Sequence, residues 1–250
     1  PPALAEEIEV DLELVLMVDV SRSMTPRELE IQRRGYAEAL RSDAVFAAVQ
    51  SGLLQSVAIT YVEWAGTQQV VIDWRVIQSR ADLDALSDIL TSRFEPSLRR
   101  TSISEALIFG ADLMEANIYK GLRRVIDISG DGPNNQGRGV ELARDTVLAK
   151  GITINGLPLL TRDGDTDAWH LDQLDVYYQT CVIGGPGSFM IPVFDWDDFA
   201  DAVRRKLVLE MVSWSALPQI IPAQAVKRDP TDCRIGEKIW QDRRRYWDSP

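Results

Sequence analysis

The sequence of 250 residues has no long hydrophobic segment and few positive charges. Its strongly apolar run at 14–18 is far shorter than the ~20 residues that a membrane-spanning helix needs, so we expect no transmembrane segment. Only 27 Lys and Arg residues stand against 38 Asp and Glu residues, which gives a net charge of −11. Such a surface repels nucleic acid and anionic lipid on average, and it favours cations and basic partners.

Several motifs of common enzyme classes are also missing. The sequence has one histidine, His170, and no Gly-x-Ser-x-Gly segment that would expose a serine nucleophile on a sharp turn. It has neither a Walker-type phosphate loop nor a Gly-x-Gly-x-x-Gly segment, so it implies no nucleotide cofactor. A lone histidine beside a tryptophan is more often a packed or surface residue than a general base. The sequence therefore gives no support for a serine hydrolase or a nucleotide-dependent enzyme.

Cysteine is scarce, and the two cysteines, Cys181 and Cys233, both lie in turn-rich surroundings that contain Gly and Pro. Two cysteines in such loops favour a disulfide over two free thiols. We therefore expect a Cys181–Cys233 disulfide. Because disulfides persist in oxidising compartments, we also expect a periplasmic or secreted location.

Apolar segments of strand length alternate with amphipathic segments of helical spacing, which is typical of a parallel sheet covered by helices on both faces. A short turn with Gly between two strand-like segments predicts an antiparallel hairpin at the sheet edge. The first helix has a clear start, since Thr25 can cap it and Glu28 completes a capping box. The predicted strands are 10–20, 56–65, 69–77, 124–129, 152–160 and 189–194, and the other predicted helices are 80–94, 103–117, 140–150 and 195–212.

These elements predict an α/β domain over residues 1–212. We expect a doubly wound, Rossmann-like central sheet that is mostly parallel, with one antiparallel edge strand and helices on both faces. The pattern fades after residue 212 among several prolines. Residues 213–250 are therefore expected to form a C-terminal tail packed on the domain.

The first predicted strand ends in the segment Asp19-Val20-Ser21-Arg22-Ser23. In open α/β sheets, ligands bind just outside the carboxyl ends of central strands, which is where Asp19, Ser21 and Ser23 lie. A turn that leaves the strand can aim one carboxylate and two hydroxyls at one point, and a hard cation such as Mg²⁺ prefers oxygen ligands. Three ligands do not complete an octahedron, so we expect other strand-end loops to supply more.

Two such loops carry suitable oxygens, because Thr101 precedes a predicted helix and Asp131 follows the predicted strand at 124–129. The Asp-x-Ser-x-Ser segment, the Thr before an Ala-Leu helix and the Asp-Gly after a strand together resemble the metal-ion-dependent adhesion site (MIDAS) of von Willebrand factor type A (vWA) domains. The sequence is similar over about residues 10–212 to bacterial members of that family. The resemblance implies a divalent cation, first Mg²⁺ and otherwise Mn²⁺ or Ca²⁺, held by Asp19, Ser21, Ser23, Thr101 and Asp131.

The resemblance also implies an open coordination position that an acidic residue of another protein completes. We therefore expect a cation-dependent protein-binding module for adhesion or assembly, rather than an enzyme. One alternative is a phosphatase of the haloacid dehalogenase type, whose glycine-rich loop resembles 130–135. It is disfavoured because Ser21 and Asn135 stand where that chemistry needs carboxylates. The other alternative is a structural subunit with a vestigial metal site.

Three further features each have two interpretations. The alternating carboxylates of 163–167 resemble a calcium loop, but Ala168 and Leu174 stand where that loop needs Gly and Glu, so a solvated acidic turn is the alternative. Asp127 lies inside a predicted strand, where it either orients the metal loops or sits at an exposed face. The Arg- and Trp-containing segment 240–247 is either a solvated helix or a docking segment for a partner.

Overall fold

The computed structural model of the protein describes residues 7–92, 100–161, 171–212 and 231–247. Within these residues, one sheet is built from β1 (Ile8–Asp19), β2 (Val57–Trp64), β3 (Gln68–Ile77), β4 (Tyr119–Gly130) and β5 (Thr153–Pro158). The strand order is β3-β2-β1-β4-β5, in which β3 is antiparallel to β2 and all other neighbours are parallel. The predicted fold class, with one antiparallel edge strand, is confirmed.

Helices cover both faces of this sheet, as the sequence predicted. In β1, Leu14 and Leu16 point into one core while Val15 and Met17 point into the other, because side chains alternate along a strand. The described helices are α1 (Pro26–Arg41), α2 (Asp43–Gln50), α3 (Arg80–Ser92), α4 (Ile103–Glu115), α5 (Val140–Ala149), α6 (Leu174–Tyr177), α7 (Phe199–Met211) and α8 (Ile235–Trp247). The first core is completed by α1, α2, α3 and α7, and the second by α4, α5 and α6.

The predicted start of α1 is confirmed in detail. The Thr25 hydroxyl accepts a hydrogen bond from the Glu28 backbone N–H, and the Glu28 carboxylate accepts one from the Thr25 N–H at 2.6 Å. This reciprocal pair satisfies two backbone donors that the first helical turn leaves without partners. The capping box therefore fixes the direction in which the chain enters α1 after the end of β1.

Two predicted elements differ in the structure. Residues 189–194 do not form a strand; Met190 and Val193 make isolated bridges to Gly156 and Leu159, and Pro192 cannot donate to a continuous ladder. The helix predicted at 195–212 begins as a 3₁₀ turn at Trp196–Asp198 before α7 continues it. The helix predicted at 80–94 ends at Ser92, and its last two positions lie outside the described residues. The short helices α2 and α6 were not predicted from the sequence.

A buried ionic cluster attaches α7 to the sheet. Lys206 Nζ lies 2.7 Å from Asp127 Oδ1 of β4 and 2.5 Å from Glu210 Oε1, and the Asn155 side chain of β5 donates to the same Glu210 oxygen at 3.1 Å. Asp127 is buried, so the interpretation that it sits at an exposed face is wrong. Burial and, to a smaller extent, the charge of Asp127 raise the pKa of Glu210 to about 7. The positive charge of Lys206 acts in the opposite direction and lowers the pKa of Glu210.

The predicted disulfide is present between Cys181 and Cys233. Cys181 belongs to a π-helical turn, Tyr178–Val182, that continues directly from α6, whereas Cys233 precedes α8. The bond therefore joins two segments that are 52 residues apart in sequence. None of the described helices combines the length and apolar character that crossing a bilayer requires.

Candidate metal centre

Asp19 occupies the last position of β1, at the carboxyl edge of the sheet, and is completely buried. Its Oδ1 accepts a hydrogen bond from the Ser21 backbone N–H at 2.7 Å, which closes the turn after the strand. Its Oδ2 is buried and has no hydrogen-bond partner among the described residues. A buried carboxylate oxygen without a partner is costly, so this position is suited to a cation.

The hydroxyls of the following turn meet the loop after β4. The Oγ atoms of Ser21 and Ser23 lie 2.9 Å apart, and Ser23 Oγ donates to Asp131 Oδ1 at 2.8 Å. Ser23 and Asp131 are 108 residues apart in sequence, and the parallel pairing of β1 with β4 brings them to the same edge. Three of the five predicted ligands are therefore joined by hydrogen bonds between their side chains, and Asp19 joins them through the Ser21 N–H.

Thr101 is tied to the same loop through its backbone. Its N–H donates to Asn135 Oδ1 at 3.1 Å, and the Asn135 N–H donates to the Thr101 carbonyl at 3.0 Å. Arg100, just before it, has a left-handed backbone with φ of 72° and lies with its guanidinium 5.2 Å from the centre of the Trp240 ring. A left-handed conformation is uncommon outside glycine, and here the bonds of the next residue to Asn135 and the contact with Trp240 accompany it.

Glycine at position 130 allows the two carboxylate-bearing loops to come close. A Cβ added there would lie 2.9 Å from Asp19 Oδ2 and 2.7 Å from the Tyr178 hydroxyl, closer than real Cβ atoms approach. Tyr178 is completely buried, and its hydroxyl has no hydrogen-bond partner among the described residues. Burial raises the pKa of Tyr178 well above its usual range, and the Asp19 carboxylate raises it further.

The electrostatics of the site disfavour two bare carboxylates. Burial raises the pKa of Asp19 well above its usual range, and the charge of Asp131 raises it further. Burial also raises the pKa of Asp131 to about 6, with an added contribution from the charge of Glu28. A divalent cation between such groups stabilises their ionised forms, because metal ligation and deprotonation are linked.

The donor set fits a hard cation. It brings together the carboxylates of Asp19 and Asp131 and the hydroxyls of Ser21 and Ser23, and oxygen ligands of this kind suit Mg²⁺, Mn²⁺ or Ca²⁺. Thr101 is joined to the neighbouring Asn135 through its backbone. Among the described residues, no group of three or more His, Cys, Asp or Glu side chains is arranged for a metal ion. Asp19, Ser21, Ser23, Thr101 and Asp131 are the predicted ligands that would hold such a cation, and it would supply positive charge to this edge of the sheet.

Several supporting residues were not predicted. The Gln32 side chain donates to the Asp19 carbonyl at 2.9 Å, and the Trp196 indole donates to Glu28 Oε1 at 3.1 Å. Gln32 is an inward polar residue on an amphipathic helix, a signal that sequence inspection can use. Tyr178 gives no comparable signal, since its position comes from a four-residue helix and a π-helical turn. His170 and the acidic segment 163–167 lie outside the described residues.

The segment around α8 contacts the loop that follows Asp131. Asn134 donates from its side chain to Glu237 Oε1 at 2.7 Å, and its Oδ1 accepts from the Ser104 N–H at 3.0 Å. The Asn134 N–H donates to the Tyr177 hydroxyl at 3.2 Å. A Cβ at Gly236 would lie 2.1 Å from the Asn134 carbonyl oxygen, so α8 approaches this loop as closely as a glycine allows. The loop is thus held from α4, α6 and α8.

The strand order, the antiparallel edge strand and the flanking helices define a vWA-like α/β fold, and structural comparison agrees. The chain is similar to proximal thread matrix protein 1 from the mussel byssus (14% identity, TM-score 0.59, 83% of this chain and 49% of that chain). It is also similar to the pilus adhesin SpaC from Lactobacillus rhamnosus GG (11% identity, TM-score 0.59, 82% of this chain and 31% of that chain). A third similar structure is the von Willebrand factor type A protein from Catenulispora acidiphila (14% identity, TM-score 0.55, 81% of this chain and 43% of that chain).

The chain thus spans about half or less of the length of these three structures. At such identities the likeness shows the fold alone. One further structure of the mussel protein has a zinc-occupied MIDAS motif. The sequence matches a family model described as "Protein of unknown function (DUF1194)" over residues 9–215, and the chain belongs to this family. No curated protein matches the sequence.

Proposed function

We propose that the chain is a divalent-cation-dependent protein-binding module. Asp19, Ser21, Ser23, Thr101 and Asp131 hold the cation, with Mg²⁺ as the first candidate. The single observation that carries this proposal is the convergence of Ser21, Ser23 and Asp131 at hydrogen-bond distance beside an Asp19 carboxylate whose buried Oδ2 has no partner among the described residues. This cluster has too few internal donors for its oxygens, and a cation supplies what it lacks.

The partner binds through an acidic residue that completes the coordination of the cation. Ser23 and Asp131 are partly exposed while Asp19 is buried, so the cation is reached from the rim of the sheet. A cation with an open position captures a carboxylate from outside and gives adhesion or assembly rather than turnover. The adhesive or matrix roles stated for SpaC and the mussel protein are in keeping with this assignment.

We assign binding rather than phosphatase chemistry because the residue two positions after Asp19 is a serine. Its hydroxyl is engaged with Ser23, and its N–H donates to Asp19 Oδ1. A phosphatase with an aspartate nucleophile needs a carboxylate at that position to move the proton. With Mg²⁺ present, we expect no turnover of generic phosphate esters. Turnover that is abolished by Asp19→Asn would contradict the assignment.

The first test measures the cation directly. Protein stripped with EDTA is titrated with Mg²⁺ and Mn²⁺ by calorimetry, alongside Asp19→Ala and Ser21→Ala. Both variants should lose at least the about 10- to 100-fold in affinity that removal of an outer-shell partner costs. Asp73→Ala is the matched control, because it removes an exposed carboxylate of the edge strand β3. Equal affinities in wild type and Asp19→Ala would exclude the site.

The second test measures capture of a carboxylate. An array of peptides with a single Asp or Glu is compared with the same peptides carrying Asn or Gln, in Mg²⁺ and in EDTA. We expect binding that needs both the cation and the peptide carboxylate and that is lost in Asp19→Ala. Binding that survives EDTA and the amide replacement would support assembly contacts elsewhere and a vestigial site.

We also propose a periplasmic or secreted location and a division at residue 212. The Cys181–Cys233 disulfide supports the location, because such bonds persist in oxidising compartments. In this proposal, residues 1–212 form the vWA-like domain and residues 213–250 a tail packed on it. The hydrogen bond between Glu237 and Asn134 supports that packing.

A further inference from the structure

The Tyr178 hydroxyl makes no hydrogen bond to the described residues around it. The side chain is completely buried at the start of the π-helical turn Tyr178–Val182, and its oxygen has no hydrogen-bond partner among the described residues. A buried hydroxyl without a partner destabilises the fold relative to phenylalanine of the same shape. Single π-helical turns are also frequent at functional sites. A tyrosine in place of phenylalanine at this position therefore indicates that the hydroxyl has a function.

The hydroxyl lies near the carboxylate of Asp19. The Tyr178 hydroxyl and Asp19 Oδ2 flank the same point above Gly130, at 2.7 and 2.9 Å from a Cβ that an alanine would place there. At Gly156 of the neighbouring strand, an added Cβ would lie 2.8 Å from the Tyr178 ring. Glycines on β4 and β5 therefore leave room for the tyrosine ring and its hydroxyl near Asp19. Both oxygens in that space are buried and without partners among the described residues.

The segment that carries Tyr178 is anchored on both sides. Cys181, in the same turn, is bonded to Cys233. The neighbouring Tyr177 hydroxyl donates to the Cys233 carbonyl at 3.4 Å and accepts from the Asn134 N–H at 3.2 Å. These bonds fix the turn relative to the loop after β4, so the Tyr178 ring is held in place independently of its own hydroxyl.

We propose that Tyr178 is a positioning residue of the cation site, whose hydroxyl donates a hydrogen bond to Asp19 Oδ2 and holds that carboxylate in its cation-binding orientation. This inference rests on the proposed function. Groups that orient a ligating carboxylate in this way strengthen metal binding although they do not touch the metal. The described residues offer neither oxygen another hydrogen-bond partner.

The test is Tyr178→Phe, read by two measurements. Cation affinity is measured by calorimetry with Mg²⁺ and Mn²⁺, and the melting temperature is measured in EDTA. We expect an about 10-fold loss of affinity, with a melting temperature in EDTA equal to or above that of wild type. A merely structural tyrosine would give the reverse pattern, with lower stability and unchanged affinity.

Tyr61→Phe is the matched control. Tyr61 is also completely buried with a hydroxyl that has no partner among the described residues, but it packs in the other core, on the opposite face of the sheet. It should keep the wild-type cation affinity. Unchanged affinity in Tyr178→Phe, or a loss of affinity matched by Tyr61→Phe, overturns the role of Tyr178 while leaving the proposed function intact. A wild-type protein that binds neither Mg²⁺ nor Mn²⁺ overturns the proposed function, and this inference with it.

Discussion

A single glycine sets how closely the parts of the candidate site approach one another. Gly130 ends β4, directly before Asp131, and its Cα faces Asp19, Tyr178 and Trp64. The added Cβ of an alanine would lie 3.2 Å from the buried Trp64 ring as well as closer to the two oxygens. Two of these three neighbours are large rings fixed in the core, so they have little room to yield. The residue before the candidate ligand Asp131 therefore limits the space between Asp19, Tyr178 and Trp64.

Gly130→Ala should both destabilise the protein and weaken the cation site. Overpacking of this kind costs about 1–3 kcal/mol in free energy of unfolding, and any shift that relieves it moves Asp19 or Tyr178. The measurements are urea unfolding in EDTA and calorimetric titration with Mn²⁺. Gly139→Ala is the control, since a Cβ there meets no atom within 4 Å. A Gly130→Ala protein with wild-type stability and affinity would show that the space above Gly130 is not restrictive.

At the scale of elements, the helix α7 is joined to the sheet by charges that change with pH. Glu210 has an ordinary pKa of 4.5 that burial raises to about 7 in the folded protein, and burial also raises the pKa of Asp127. Between pH 4.5 and pH 7, the folded state therefore binds more protons than the unfolded state. The stability that this contributes is fully present below pH 4.5 and is lost as the pH rises through 7.

Glu210→Gln should flatten this pH dependence. Urea unfolding of wild type is expected to give a free energy that falls between pH 5 and pH 8 by an amount on the order of 1–3 kcal/mol from this group. The variant should show a smaller fall over the same range, whatever its absolute stability. Glu141→Gln, at an exposed position of α5, is the control and should keep the wild-type slope. Parallel slopes for Glu210→Gln and wild type would contradict the shifted pKa of Glu210.

The disulfide connects the π-helical turn with α8. Replacing both Cys181 and Cys233 by alanine should lower the free energy of unfolding by about 4 kcal/mol, because the bond closes a loop of 52 residues in the unfolded chain. The Tyr177 bridge between Cys233 and Asn134 should loosen as well, so cation affinity should also fall. Addition of a reductant should reproduce both effects in wild type and have none in the double variant. A reductant that changes neither property would show that the hydrogen bonds alone hold this region.

Sequence reasoning worked best where a signal is local, as in the capping box of Thr25 and Glu28, which is a pattern within four residues. The position of Asp19 at the end of β1 was also predicted, whereas cation binding by the five candidate ligands stays a prediction. Tyr178 could not be predicted, because its proximity to Asp19 is created by the packing of a π-helical turn across two strands. The strand predicted at 189–194 was wrong because apolar content alone does not show where prolines interrupt a ladder.

On the scale of the whole molecule, net charge and local charge oppose each other at the proposed binding face. The chain carries a net charge of −11, which repels an acidic partner at long range. Near the site, Arg22 and Arg100 are exposed and present positive charge to the same partner. The Debye length decides which of the two dominates, since it falls from about 30 Å at 0.01 M to about 8 Å at 0.15 M ionic strength.

Association with an acidic peptide should therefore become faster as salt is added. At 0.01 M the approaching peptide experiences the charge of the entire molecule, whereas at 0.15 M it experiences mainly the rim with its arginines and the cation. The association rate constant, measured by surface plasmon resonance in saturating Mg²⁺, is expected to rise between these two conditions. In Arg22→Gln and Arg100→Gln the rate at 0.15 M should fall, because the local attraction is reduced. A rate that falls steadily with salt in wild type would mean that the arginines and the cation outweigh the net charge even at long range.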